Sequence, residues 1–227
     1  MMSMIRHLRL RRTLHFAVIA GAAVFLNACT YERNGPVGHH FRDVSSQPPR
    51  GNKITVCHGY GCQNQTRVKL TPKDVNAIKN LMQKTKKKDT PHEERRAVAY
   101  AVSWLEKHIG RIVGTSNDRP GMDYSGSGDP SQQDCVDEAT NTTSYLLVLQ
   151  HNGFLKHHTV GTPFSKGNVL LGGISQWPHW AAVLKEKQGG QRYAVDSWIY
   201  ENGENPAIVK AEAWYIKDLD SLPKPVT

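Results

Sequence analysis

Gln132-Gln133-Asp134-Cys135-Val136-Asp137-Glu138-Ala139 is the stretch at which the chain changes character. A polar, glycine-rich loop from Gly114 to Ser131 leads into it, and a helix-forming segment follows as far as Asn152-Gly153, a helix stop. Cys135 therefore falls in the first helical turn. There the positive end of the helix dipole and the unpaired N–H groups favour thiolate over thiol.

Upstream the pattern is helical. Thr71-Pro72-Lys73-Asp74 reads as a capped start, with Val75, Ile78, Leu81 and Met82 on one face. Thr90-Pro91-His92-Glu93 repeats the signal, and Val98, Ala101, Val102, Leu105 and Ile109 carry a second helix to Gly110 or Gly114. On the Cys135 helix, Ala139, Thr143, Leu146, Leu147 and Leu149 form the inward face. Downstream the period changes from 3.6 to 2. Leu155 to Val160, Trp180 to Lys185, Arg192 to Trp198 and Ala207 to Ile216 are strand segments, with Lys187-Gln188-Gly189-Gly190 as a hairpin turn. Helices first and strands afterwards indicate an α+β fold in which an antiparallel sheet packs on the Cys135 helix.

The strands supply two further reactive groups, His179 in Trp177-Pro178-His179-Trp180 and Asp196 in Val195-Asp196-Ser197-Trp198. The hairpin brings their strands side by side, so Cys135, His179 and Asp196 have the types and order of a nucleophile, a base and an orienting acid. His157 and His158, adjacent in a strand, and His151, at a helix end, read as surface or core-rim residues. Trp177, Trp180, Trp198 and Trp214 lie near the site in sequence and read as core packing, with one or two available to line a groove.

Cysteine usage supports this assignment. The chain begins with Arg6, Arg9, Arg11 and Arg12 and an apolar run from Leu14 to Ala28, the pattern of a secretory signal rather than a membrane span. Leu26-Asn27-Ala28-Cys29 resembles the lipobox of bacterial lipoproteins, which implies acylation of Cys29 and removal of residues 1–28. Export permits disulfides, and Cys57 and Cys62 in Val56-Cys57-His58-Gly59-Tyr60-Gly61-Cys62 have the spacing of a small bridged loop. Metal binding with His58 is the rival reading there. Cys135 is then the remaining thiol, in a polar setting of Asp134, Asp137 and Glu138 that argues against an inert core cysteine. Residues 29–52, with Asn34-Gly35-Pro36 and Ser46-Gln47-Pro48-Pro49, read as a tether, and residues 53–227 as one domain.

In order and spacing, Asp134-Cys135-Val136-Asp137-Glu138-Ala139, His179-Trp180 and Val195-Asp196-Ser197-Trp198 together resemble the transglutaminase-like branch of the papain-like cysteine peptidases, including bacterial transglutaminase-like cysteine proteinases. The resemblance covers residues 114–200. It implies an acyl-transfer enzyme in which Cys135 attacks an amide carbonyl, His179 moves the proton and Asp196 holds the imidazole. No cofactor is required. Some members bind calcium near the nucleophile, which makes Asp134 and Asp137 candidate ligands; the alternative is that both serve the helix start. For the oxyanion, the Cys135 N–H is one donor, and Gln133 or Gln132 is the candidate for the second. Cell-wall amidases of the NlpC/P60 type share the Asp-Cys helix start but carry a Ser-Gly pair after the cysteine, absent here. A catalytically inactive binding lipoprotein is the third alternative.

The formal charge is +9, and removing the four arginines of the leader leaves +5. The dense basic run Lys84-Thr85-Lys86-Lys87-Lys88 reads as a solvated helix end, with attraction to anionic lipid or cell-wall polymer as the alternative. The expected partners are a protein or peptide substrate in the bacterial cell envelope and the membrane itself, through the lipid anchor on the periplasmic side; nucleic acid is not among them. Mass spectrometry of the mature N-terminus is expected to find acylated Cys29, and an unmodified terminus elsewhere would refute the leader assignment.

Overall fold

The computed structural model describes residues 35–121, 123–167, 178–216 and 221–222. The leader, Cys29 and Trp177 lie outside them. In chain order the elements are α1 (Gly38–Asp43), β1 (Lys53–His58), β2 (Asn64–Lys69), α2 (Pro72–Thr85), α3 (Pro91–Val113), a 3₁₀ turn (Tyr124–Gly126), α4 (Cys135–His151), β3 (His158–Lys166), β4 (His179–Glu186), β5 (Arg192–Asp196), β6 (Ala207–Lys210) and α5 (Ala211–Ile216). Among these residues no helix is long and apolar enough to cross a membrane.

The helix starts follow the chemistry of their caps. The Thr71 side chain accepts from Asp74 N–H while Asp74 accepts from Thr71 N–H, closing a capping box at α2. Thr90 does the same single service for Glu93 N–H at α3, and Gly114, with φ +97°, ends that helix in the left-handed region. The apolar face of α3 is fully buried at Val98, Ala101, Val102 and Leu105. It meets Leu146 and Leu149 of α4 and, from the sheet, Ala182, Leu184 and Val195 in one core.

The main sheet is antiparallel throughout, in the order β3-β4-β5-β6, which makes the fold α+β. Register pairs Ala182 with Val195 and Tyr193 with Lys210. Gly189 and Gly190, both at positive φ, turn β4 into β5. Two segments differ from their sequence reading. β3 runs to Lys166 instead of stopping near Val160, because Gly161 lets the strand lie against Val183: a Cβ there would sit 2.6 Å from Val183 Cγ1. A bulge between Gly161 and Phe164 accommodates Pro163 on this edge strand. The segment from Ala207 to Ile216 is a strand only to Lys210. Ala211-Glu212-Ala213, good helix formers, then turn it into α5, which folds Trp214 edge-on to Phe164 in the interior.

A second sheet, the hairpin β1–β2, was not anticipated. It pairs Ile54 with Val68 and Val56 with Thr66, and packs its apolar positions into the same core. Its turn is the Cys57–Cys62 loop, and the disulfide forms.

The tether reading is corrected. From Gly35 the chain is folded onto the domain: His40 and Phe41 are fully buried, His40 Nε2 is 2.8 Å from Thr140 Oγ1 of α4, and Thr162 Oγ1 donates to Gly35 O at 2.6 Å. One short turn of helix brings a histidine and a phenylalanine to the interior, too few apolar residues to register as a period. Phe41→Ala is expected to lower unfolding stability by roughly 3 kcal/mol or more in a urea titration, where a free tether would give no change.

Candidate active site

The carboxylates at the start of α4 bind backbone N–H groups. Asp134 is the N-cap, its Oδ1 accepting from Val136 N–H at 3.1 Å and Asp137 N–H at 2.9 Å. Asp137, one turn in, completes the capping box by accepting from Asp134 N–H and also takes Tyr60 N–H at 2.8 Å and Cys62 N–H at 2.6 Å. The disulfide loop is thereby bound to the helix that carries Cys135. These contacts answer the calcium reading. Asp134 through Oδ1, and Asp137 through both oxygens, accept backbone N–H donors, which is the helix-start role. The metal reading of the loop also loses its ligands, since both sulfurs are bonded to each other and His58 is held by Pro130 O and Thr66 Oγ1.

Cys135 Sγ lies 3.6 Å from Pro178 O, the carbonyl just before His179. His179 Nε2 is 2.7 Å from Asp196 Oδ2, and both side chains are buried. The strand register produces this: continuing the Ala182–Val195 pairing sets Ala181 opposite Asp196 and His179 opposite Trp198, so Asp196 and His179 share one sheet face. Trp198 and Trp214 flank the imidazole, with ring centroids 4.6 and 5.4 Å away. Trp214 Nε1–H donates to Asp196 Oδ2 at 2.7 Å, a contact hidden from sequence because it depends on α5 folding back. Three polar atoms in this cluster are buried without a hydrogen-bond partner among the described residues: His179 Nδ1, Asp196 Oδ1 and Trp198 Nε1.

The thiol itself does not match the sequence expectation. Burial and the charge of Asp134 push the Cys135 pKa up to about 12, although the N–H groups of Trp180 and of Cys135 itself act in the opposite direction. The helix start supplies donors, but the same turn carries a carboxylate and is closed to water. Burial and the Asp134 charge thus oppose the ionisation that the helix start favours.

Both glutamines are corrected as oxyanion donors. Gln133 donates to Glu138 Oε1 at 2.8 Å and accepts from Asn141 Nδ2 at 2.9 Å. Gln132 donates to Asn117 O at 3.1 Å and accepts from Arg119 N–H at 3.1 Å. Their amides hold the loop before α4 in place. Trp198 Nε1–H, with no acceptor among the described residues, is the side-chain donor beside His179. The other histidines are structural: His158 is fully buried on Glu94 at 2.9 Å, and His157 pairs with Asp89 at 3.1 Å.

Near Cys135 lies a group of buried acids that the sequence did not disclose. Ser197 Oγ donates to Glu138 Oε2 at 2.8 Å, and Gly203 N–H donates to Glu106 Oε2 at 3.1 Å. Asp118 accepts from Gln133 N–H at 2.6 Å. Burial raises all of them, Glu106 to about 8 and Asp118 to about 7, while Glu138 is raised well above the usual range by burial and then by the charges of Glu106 and Asp118. Asp137 is lifted to about 8, by burial and then by Asp134.

No protein-family model, curated protein or solved structure matches the chain. The functional reading therefore stands on the residues and their geometry.

The acid cluster has a consequence for stability. Between the ordinary carboxylate range and pH 8 the folded protein holds protons that the unfolded chain has already lost, so stability falls as pH rises through this window. Each such group contributes a slope of up to about 1.4 kcal/mol per pH unit. The melting temperature is expected to drop from pH 5 to pH 8, and Glu106→Gln should flatten the slope and raise stability at pH 8. A curve rising across this interval in the parent protein would contradict the assignment.

Proposed function

We propose that this protein is a cysteine hydrolase or acyl transferase of papain-like, transglutaminase-like architecture, anchored to the bacterial cell envelope through acylated Cys29 and acting on amide bonds of protein substrates. The observation that carries the reading is the His179–Asp196 pair. Asp196 holds Nε2 at 2.7 Å and leaves Nδ1 buried and unpartnered, beside the strand start whose Pro178 carbonyl is 3.6 Å from Cys135 Sγ.

In this reading a thiol with its pKa raised to about 12 transfers its proton to His179 Nδ1 as sulfur attacks the carbonyl carbon. Asp196 stabilises the imidazolium, and Trp214 keeps that carboxylate in place. The oxyanion forms near the Cys135 N–H and the unengaged Trp198 indole N–H. Collapse breaks the C–N bond, the His179 proton leaves with the amine, and the acyl group stays on sulfur. Water then releases a carboxylic acid in hydrolysis, or an amine takes the acyl group in transfer.

The test is active-site labelling with an amide-mimicking peptide probe, followed by turnover on envelope protein extracts. Cys135→Ala should abolish both. His179→Ala should abolish turnover and slow labelling strongly, and Asp196→Asn should lower turnover on the order of 10⁴-fold by analogy with serine triads while leaving the fold intact. His157→Ala should change neither. Labelling of His179→Ala at the parental rate would sink the triad, and turnover confined to cell-wall peptides would replace the protein substrate with peptidoglycan.

A further inference from the structure

At the other end of α4 lies an open cavity of about 530 Å³, within the size range of small-molecule sites. The helix has 17 residues, which places this cavity about 25 Å from Cys135. It is separate from the candidate active site. Five lysines line it, from three separate segments: Lys79 on α2, Lys86, Lys87 and Lys88 in the link to α3, and Lys156 after α4. Met82 and Phe154 provide an apolar part of the wall.

The charge is not balanced from within. Asp89 is the one carboxylate in the lining, and it is shared by Lys86 at 3.9 Å, Lys156 at 3.3 Å and His157 at 3.1 Å. Lys79, Lys87 and Lys88 have no ion-pair partner among the described residues. The link that carries three of the lysines is held in place, with Lys87 N–H on Glu93 Oε2 at 3.0 Å and Arg96 donating to Thr85 O at 2.8 Å. Lysines at a helix end suit its dipole, but that end amounts to about half a charge, far less than five ammonium groups.

The geometry points to a binding site for a phosphate-bearing anion with an apolar portion. Lysine engages phosphate as a compact point charge with several rotatable donors, and several such charges suit a multiply charged group with three acceptor oxygens. Among the described residues no arginine lines the cavity, so recognition there rests on point charges rather than on flat two-pronged pairs. Phe154 and Met82 offer a surface for the uncharged part of the molecule. A soluble phosphate ester and a lipid phosphate headgroup share this chemistry.

The purified protein is titrated with inorganic tripolyphosphate by calorimetry, then mixed with vesicles of phosphatidylcholine with or without phosphatidic acid. The site requires saturable binding of one tripolyphosphate per chain, weakened about tenfold or more by Lys79→Glu and by Lys88→Glu. Both residues are exposed and unpaired, so circular dichroism should be unchanged. Lys210→Glu, the same charge change on β6, should leave binding within a factor of two. Additional capture on phosphatidic acid vesicles, lost in Phe154→Ala, assigns the phosphate to a lipid; tripolyphosphate binding without vesicle capture assigns it to a soluble ester. Absence of saturable tripolyphosphate binding, or an equal loss in Lys210→Glu, overturns the site.

Discussion

The carboxylate of Asp137 is the point on which the arrangement around Cys135 depends. It gathers N–H groups from Asp134, Tyr60 and Cys62, and so joins the first turn of α4 to the loop closed by the disulfide. That loop runs through four consecutive residues at positive φ, Gly59, Tyr60, Gly61 and Cys62. Tyr60 and Cys62 adopt a backbone region that side-chain-bearing residues avoid, so the loop needs outside support. The sulfur bridge supplies it covalently and Asp137 supplies it by hydrogen bonding. Tyr60 in turn reaches Asp123 O through its hydroxyl, which holds the loop that leads to Cys135.

The second constraint is that α4 is buried nearly all round although much of it is polar. Thr140, Asn141, Thr142, Thr143 and Ser144 are all inaccessible. Thr140 and Thr143 satisfy their hydroxyls on the carbonyls of Val136 and Ala139, one turn back. Asn141 bridges the N–H and carbonyl of Cys57, and Thr142 meets Ser197. A helix packed this way is located by directional contacts rather than by apolar packing alone, which suits a segment that has to place a sulfur atom. The cost is electrostatic. Burial raises the acids around α4 and raises the thiol as well, so the environment that orders Cys135 also disfavours its thiolate.

The two ends of α4 divide the molecule chemically. At the N-terminus the helix presents backbone N–H groups beside the Cys135 sulfur. At the C-terminus the surrounding lysines create a positive cavity where the dipole alone would be negative. The two ends of α4 thus differ in kind, with backbone donors beside carboxylates at one and side-chain charge at the other.

By itself the sequence determined the parts that depend on local chemistry. Thr71 and Thr90 cap their helices as their spacing indicates, Cys135 opens α4, Cys57 pairs with Cys62, and the hairpin turn at Gly189-Gly190 sets His179 within reach of Asp196. Each follows from residues a few positions apart or from strand periodicity. Tertiary structure decided whatever depends on distant segments meeting. It folded His40 and Phe41 into the interior from a stretch with no apolar period, and it brought Trp214 from α5 onto Asp196. It also gathered Glu106, Asp118 and Glu138 near Cys135 from separate segments, engaged Gln132 and Gln133 in structural hydrogen bonds, and raised the Cys135 thiol where the helix start alone would lower it. Burial and the proximity of other charges are properties of the packed molecule, and no pattern along the chain encodes them locally.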